Sequence, residues 1–94
     1  MLYCRSQDDP LDWESWDSTH LVFQHRSGQT HFLNELGAWL LRRIEHGPRT
    51  ESELVDELVA EHEAEQTQEL VQSVRQTLTV LDQLGLISAA GKPV

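Results

Sequence analysis

Ser27-Gly28-Gln29-Thr30-His31-Phe32-Leu33-Asn34-Glu35-Leu36 reads as the end of a tight turn, a short strand and the capped start of a helix, with no linker between them. Gly28 supplies the backbone freedom that a tight turn needs. Asn34 is a natural helix cap, because its side-chain oxygen accepts from an orphan N–H of the first turn. A strand that feeds straight into a helix fixes the angle between sheet and helix. The last strand of a small sheet is also the one most easily left with a free edge.

Outward from this stretch, His20 to His25 contains the run Leu21-Val22-Phe23, a strand by composition. Arg26 to Gln29 then turns the chain and Thr30 to Leu33 returns it. With that loop His25 opposes Thr30, Phe23 opposes Phe32, Val22 opposes Leu33, and His31 lies beside Gln24. Both faces of the hairpin then carry apolar pairs: one must pack on helices, and the other needs a cover of its own or a partner. An earlier strand is expected within residues 10–16, with Leu11, Trp13 and Ser15 on one face and Trp16 on the other. Asp17-Ser18 makes the turn after it.

Three helices follow. The first is expected from Glu35 to His46, with Leu36, Leu40, Leu41 and Ile44 on one side and Arg42, Arg43 and Glu45 outside. Gly37 costs helix propensity there and points to close packing. Gly47-Pro48 ends the helix, the glycine suited to a left-handed position. Thr50-Glu51-Ser52-Glu53 is a capping box that opens a second helix. Its stripe is Leu54, Val55, Leu58 and Val59, and it fades near His62. The third is expected from Thr67 to Leu84, with Leu70, Val71, Val74, Leu78 and Leu81 at helical spacing. Gly85 stops it, and Leu86-Ile87 tucks back onto the core. The fold class is α+β: a small N-terminal antiparallel sheet of two to three strands followed by three helices, a winged-helix-like arrangement. One domain, 1–94, is expected, with its core at about 10–88 and a loose tail over 89–94.

The chain has 94 residues, sixteen acidic and seven basic, for a formal charge of −9. Eight of the acids fall between Glu51 and Glu69. Such a surface repels phosphate backbones and favours cationic or neutral partners. The run is either a solvated face or a docking surface for a basic partner. The single cysteine, Cys4, excludes an internal disulfide and a thiolate metal cluster. There is no signal peptide and no apolar run long enough to span a bilayer, so a cytoplasmic protein with no membrane partner is expected.

No catalytic constellation is present in the pattern: no phosphate-binding glycine loop and no nucleophile turn. The histidines, His20, His25, His31, His46 and His62, form no i, i+4 pair on a helix. Neither catalysis, a cofactor nor a zinc site is therefore expected. A DNA-reading third helix would present Gln68, Gln72, Arg75, Gln76, Thr79 and Gln83, with Glu69 and Asp82 among them. Arg75 alone is basic, whereas phosphate contact needs several cations.

The stretch Ser27 to Asn34 resembles the hairpin of the PqqD-like peptide chaperones, recognition elements for the leader peptides of ribosomally made, modified peptides. The likeness is to the subgroup found with HPr-kinase-related proteins. Leu36 to Gly47 resembles the helix that follows in that family. Leu81 to Ile87 is similar to its ending, Leu-x-x-Leu-Gly-Leu-Ile. The resemblance covers about residues 10–88 and departs at Gly37-Ala38-Trp39. It implies three antiparallel strands and three helices. It also implies a leader bound as an added strand on the third strand, in a groove shared with the third helix, and handed to a modifying enzyme.

On this chain the implied edge is Gln29, Thr30, His31, Phe32, Leu33 and Asn34. The helix positions expected beside it are Val71, Arg75, Leu78 and Asp82, one stripe at i, i+4, i+7 and i+11. Strand addition suits such a site, because backbone groups supply affinity and neighbouring pockets supply specificity. The alternatives are an acidic domain that regulates a partner enzyme through its second helix, and a winged-helix DNA binder.

Overall fold

A computed structural model describes residues 2–5, 11–25, 28–63 and 65–90, with Ala90 described by its backbone alone. In chain order the elements are β1 (Leu2–Arg5), β2 (Leu11–Trp16), β3 (Thr19–Gln24), β4 (Gln29–Leu33), α1 (Glu35–His46), β5 (Arg49–Thr50), α2 (Glu51–His62), α3 (Gln68–Gln83) and β6 (Ile87–Ala90). Two three-stranded antiparallel sheets result, ordered β2-β3-β4 and β5-β1-β6. The first is the expected N-terminal sheet ahead of three helices. The second joins the two ends of the chain.

The β3–β4 register differs from the sequence expectation. Phe23 opposes Thr30, Leu21 opposes Phe32 and Val22 opposes His31. The loop is 25–28 rather than 26–29. Gly28, at φ +72°, ends it by donating its N–H to the Gln24 carbonyl at 2.9 Å. Each strand moves by one residue relative to its partner's expected position, two in the pairing, so every side chain keeps its face. The inner face carries Val22 and Leu33, both buried, and the buried Gln24. Gln24 Nε2 donates to the Gly85 carbonyl at 3.4 Å, and its Oε1 meets His31 Nε2 at 3.3 Å. The expected His31–Gln24 neighbourhood therefore survives as a diagonal contact. Leu11 and Trp13 share the inner face of β2, and the exposed Trp16 lies on the other.

Asn34 caps α1, its Oδ1 accepting the Gly37 N–H at 2.8 Å. A Cβ at Gly37 would stand 3.2 Å from Asn34 Oδ1 and 3.7 Å from Thr77 Cγ2, so α1 and α3 approach closely there. Gly47 closes α1 through its N–H to Ile44 O, but with φ +158° and ψ 159° rather than in the left-handed position. Thr50 and Glu53 form the complete capping box of α2. The Thr50 N–H holds the Glu53 carboxyl below its ordinary pKa, helped by the Thr50 hydroxyl. Gly85, at φ +79°, ends α3 in a Schellman arrangement: its N–H donates to Asp82 O, and the Leu86 N–H to Leu81 O, each at 3.0 Å.

The core joins Leu40, Leu41 and Ile44 of α1, Leu54, Val55 and Leu58 of α2, and Val74, Leu78 and Leu81 of α3. Leu86 and Ile87 are buried with them, as expected. The expected tail is corrected in part. Ala89 and Ala90 belong to β6, where they oppose Tyr3 and Leu2 of β1. Residues 91–94 lie outside the described residues.

Candidate functional site

β4 pairs with β3 alone, so its outer edge meets no other strand among the described residues. Its side chains alternate. Leu33 is buried and His31 half-buried toward the helices, while Thr30 is exposed and Phe32 is 70% exposed on the outer face. Burial lowers the His31 pKa below its ordinary value, and the ring's Nε2 lies 3.3 Å from Gln24 Oε1. Asn34 sits where strand becomes helix, its side chain committed to the cap.

A groove of about 290 Å³ runs beside this edge. On the sheet side it is bounded by Phe32, Leu33 and Asn34, with Gly37 of α1 behind them. Its other wall is α3, through Gln76, Thr77, Val80 and Leu84. The Thr77 hydroxyl donates back to the Ser73 carbonyl at 2.8 Å, so the residue adds no free donor there. Val80 is 49% exposed, an apolar side chain with no core role. A wall of amides, methyls and one strand edge binds extended backbone with little charge preference. It offers no nucleophile, base or metal ligand set.

The α3 positions expected from sequence lie elsewhere. Leu78 is fully buried in the core. Arg75 forms a two-pronged ion pair with Glu51 of α2, at 2.9 and 3.3 Å. Val71 lines a small cleft with Glu51, Val55 and Asp56. Asp82 lies on the side of Tyr3 in β1, whose hydroxyl pKa is pushed up by burial and by the Glu51 and Asp82 carboxylates. This stripe faces α2 and the β1 sheet, roughly 160° round the helix from the groove wall at 100° per residue. The structure thus brings together Phe32, Leu33 and Asn34 at the groove, but none of Val71, Arg75, Leu78 and Asp82. The missed wall residues had one signal in the sequence: Val80 is apolar but falls off the core stripe.

The model of one protein family, described as coenzyme PQQ synthesis protein D (PqqD), matches residues 19–87. The chain belongs to the PqqD family. The match runs from the first residue of β3 into β6, and so takes in the edge, the groove and all three helices. No curated protein and no solved structure matches the chain. Within this PqqD domain no group of three or more His, Cys, Asp or Glu side chains converges on one point among the described residues. No helix among them is long and apolar enough to cross a membrane.

Proposed function

We propose that the protein is a non-catalytic peptide-binding adaptor. It holds a precursor peptide as an added strand on β4 and presents it to a modifying enzyme. Family membership supports the adaptor role. One observation carries the mode of binding: among the described residues β4 has strand pairing on one side only, and it borders a groove whose exposed apolar members are Phe32 and Val80. Backbone groups on the edge give affinity, and the two apolar side chains grip alternate residues of the peptide. A cytoplasmic site and the subgroup associated with HPr-kinase-related proteins belong to this same proposal.

The competing readings draw less support. On α2, Glu51, Glu57 and Glu61 pair with Arg75, Arg49 and Arg43, and Glu53 completes the cap. Half of the acidic run is therefore engaged within the fold rather than offered to a basic partner. For a DNA reader, Arg75 is the one cation of α3, and it is committed to Glu51.

The test is an amide chemical-shift titration with the leader segment of a precursor peptide. Shifts are expected over 29–34 and at Thr77, Val80 and Leu84. Phe32→Ala and Val80→Ala should each weaken binding without unfolding the protein. Shifts centred on Glu51 to Glu61 would overturn strand addition in favour of regulatory docking through α2.

A further inference from the structure

The β2-β3-β4 sheet has two faces, and only one of them meets the helices. Val22, Gln24 and Leu33 turn inward. Strand alternation then puts Asp12, Glu14 and Trp16 of β2, Leu21 and Phe23 of β3, and Phe32 of β4 on the outer side. The register sets them in rows. Glu14 opposes Leu21, which opposes Phe32. Asp12 opposes Phe23, whose ring meets His25 edge-on at 4.8 Å. Leu21 and Phe23 are half-buried, whereas Trp16 is 53% and Phe32 70% exposed. Two of the four exposed large apolar side chains among the described residues therefore lie on this face.

The face is divided by charge. Its apolar column runs along β3, and its carboxylates run along β2. Asp12 is exposed and lies 2.6 Å from His25 Nε2. Glu14 is exposed and pairs with no cation among the described residues. Asp17, in the turn between β2 and β3, extends the acidic edge. Over residues 11–33 the sequence holds these three acids and a single arginine, Arg26, which lies outside the described residues. The acids of α2 differ in this respect, since Glu51, Glu57 and Glu61 are each matched by an arginine.

We propose that this outer face is a second recognition surface, whose occupant is a basic amphipathic helix of a partner protein. A contiguous exposed apolar patch with a polar border marks an interaction site. Neighbouring strands lie about 4.8 Å apart, so the carboxylates stand beside the apolar column where the flank of a docked helix would fall. Along β2, Asp12 and Glu14 are two residues apart, about 6.8 Å. Basic residues at i and i+4 of a helix are about 6 Å apart along its axis. A helix laid along β3 thus sets its apolar stripe on Leu21 and Phe23 and two successive cations over Asp12 and Glu14. Charge complementarity selects a basic partner. It disfavours a second copy of this chain, whose matching face brings the same three carboxylates. The site does not rest on the adaptor reading: a leader is taken up by the β4 edge, whereas this face offers side chains of β2 and β3.

The probes are two short helical peptides, acetylated and amidated at their ends. One carries a leucine stripe flanked by lysines, and its twin carries glutamate in place of each lysine. They are titrated into the full chain and read by amide and indole chemical shifts. The lysine peptide should shift Glu14, Trp16, Leu21 and Phe23 saturably and leave Val80 and Leu84 unmoved. Glu14→Gln should weaken it about threefold, and Glu14→Lys should reverse the preference toward the glutamate twin. Phe23→Ala should weaken it at least about fivefold. Glu14 is exposed, so its variants leave the fold intact, which unchanged circular dichroism checks. Equal binding of both twins, no saturable shift, or shifts centred on Glu51 to Glu61 or on Val80 would overturn the site. A failed leader titration at β4 with these shifts intact would count against the adaptor reading alone.

Discussion

Leu78→Ala and Val80→Ala, two residues apart on α3, should behave in opposite ways. Leu78 has no solvent exposure and touches the core shared by all three helices, whereas Val80 is 49% exposed on the groove wall. Removing the Leu78 branch forfeits about 1.5–3 kcal/mol of burial and adds the cost of an unfilled cavity, for a total of about 3–4 kcal/mol. A domain of this size has about 5–14 kcal/mol in all, so the variant folds but is strongly destabilised. Unfolding in urea, followed by tryptophan fluorescence, should show the midpoint fall by about 3–4 M at a slope near 1 kcal/mol/M. Val80→Ala should cost less than about 1 kcal/mol, because half of its surface is already in water. In the leader titration the ranking reverses: Val80→Ala weakens binding, whereas folded Leu78→Ala binds as before. A Leu78→Ala cost under about 0.5 kcal/mol, or a binding loss at Arg75→Ala that exceeds the one at Val80→Ala, would refute this orientation of α3.

Gly85→Ala places a side chain at φ +79° with nothing within 4 Å of its Cβ, so the cost is backbone strain alone, about 1–2 kcal/mol by thermal melting. Thr50→Ala removes the hydroxyl that accepts the Glu53 N–H and should cost about 1 kcal/mol, read in the same melts. Stability should fall as pH drops from neutrality. The His31 pKa is depressed by burial, so the unfolded chain takes up its proton first as pH falls through the ordinary histidine range. The Glu53 and Glu61 pKa values are depressed by the Thr50 N–H and by Arg43, so their contributions are lost on further descent through the carboxylate range. Urea midpoints at a series of pH values check this, and His31→Gln should flatten the part above pH 5. Metal analysis of the purified protein should find no stoichiometric zinc, because His20, His25, His31 and His62 each meet a separate partner in Ser15, Asp12, Gln24 and the Leu58 carbonyl.

The parts of the fold that were legible in sequence are those built by local physics. The bounds of α1 follow from Asn34 and Gly47, those of α2 from the capping box, and the end of α3 from Gly85. The hairpin faces were legible because a shift of one residue in each strand preserves them, although the pairing itself was not. The second sheet had no such signal. Leu2–Arg5, Arg49–Thr50 and Ile87–Ala90 are two to four residues long and pair across most of the chain. Nothing local marks them as strands. That omission also misplaced the groove wall. With β1 absent from the picture, the side of α3 bearing Val71, Arg75 and Asp82 has no neighbour and passes for an open surface. With β1 and α2 in place, that side is where Arg75 meets Glu51.

The acidic run shows why charge counts alone do not locate a site. Glu51, Glu57 and Glu61 look like one solvated face, yet they reach three different elements: Arg75 on α3, Arg49 on β5 and Arg43 on α1. Pairs of this exposure add at most about 1 kcal/mol each, so they orient α2 more than they stabilise it. Their greater consequence is what they remove from the surface. Once Arg43, Arg49 and Arg75 are matched to these carboxylates and Glu53 is committed to the cap, only half of the eight-acid run is left to offer a basic partner.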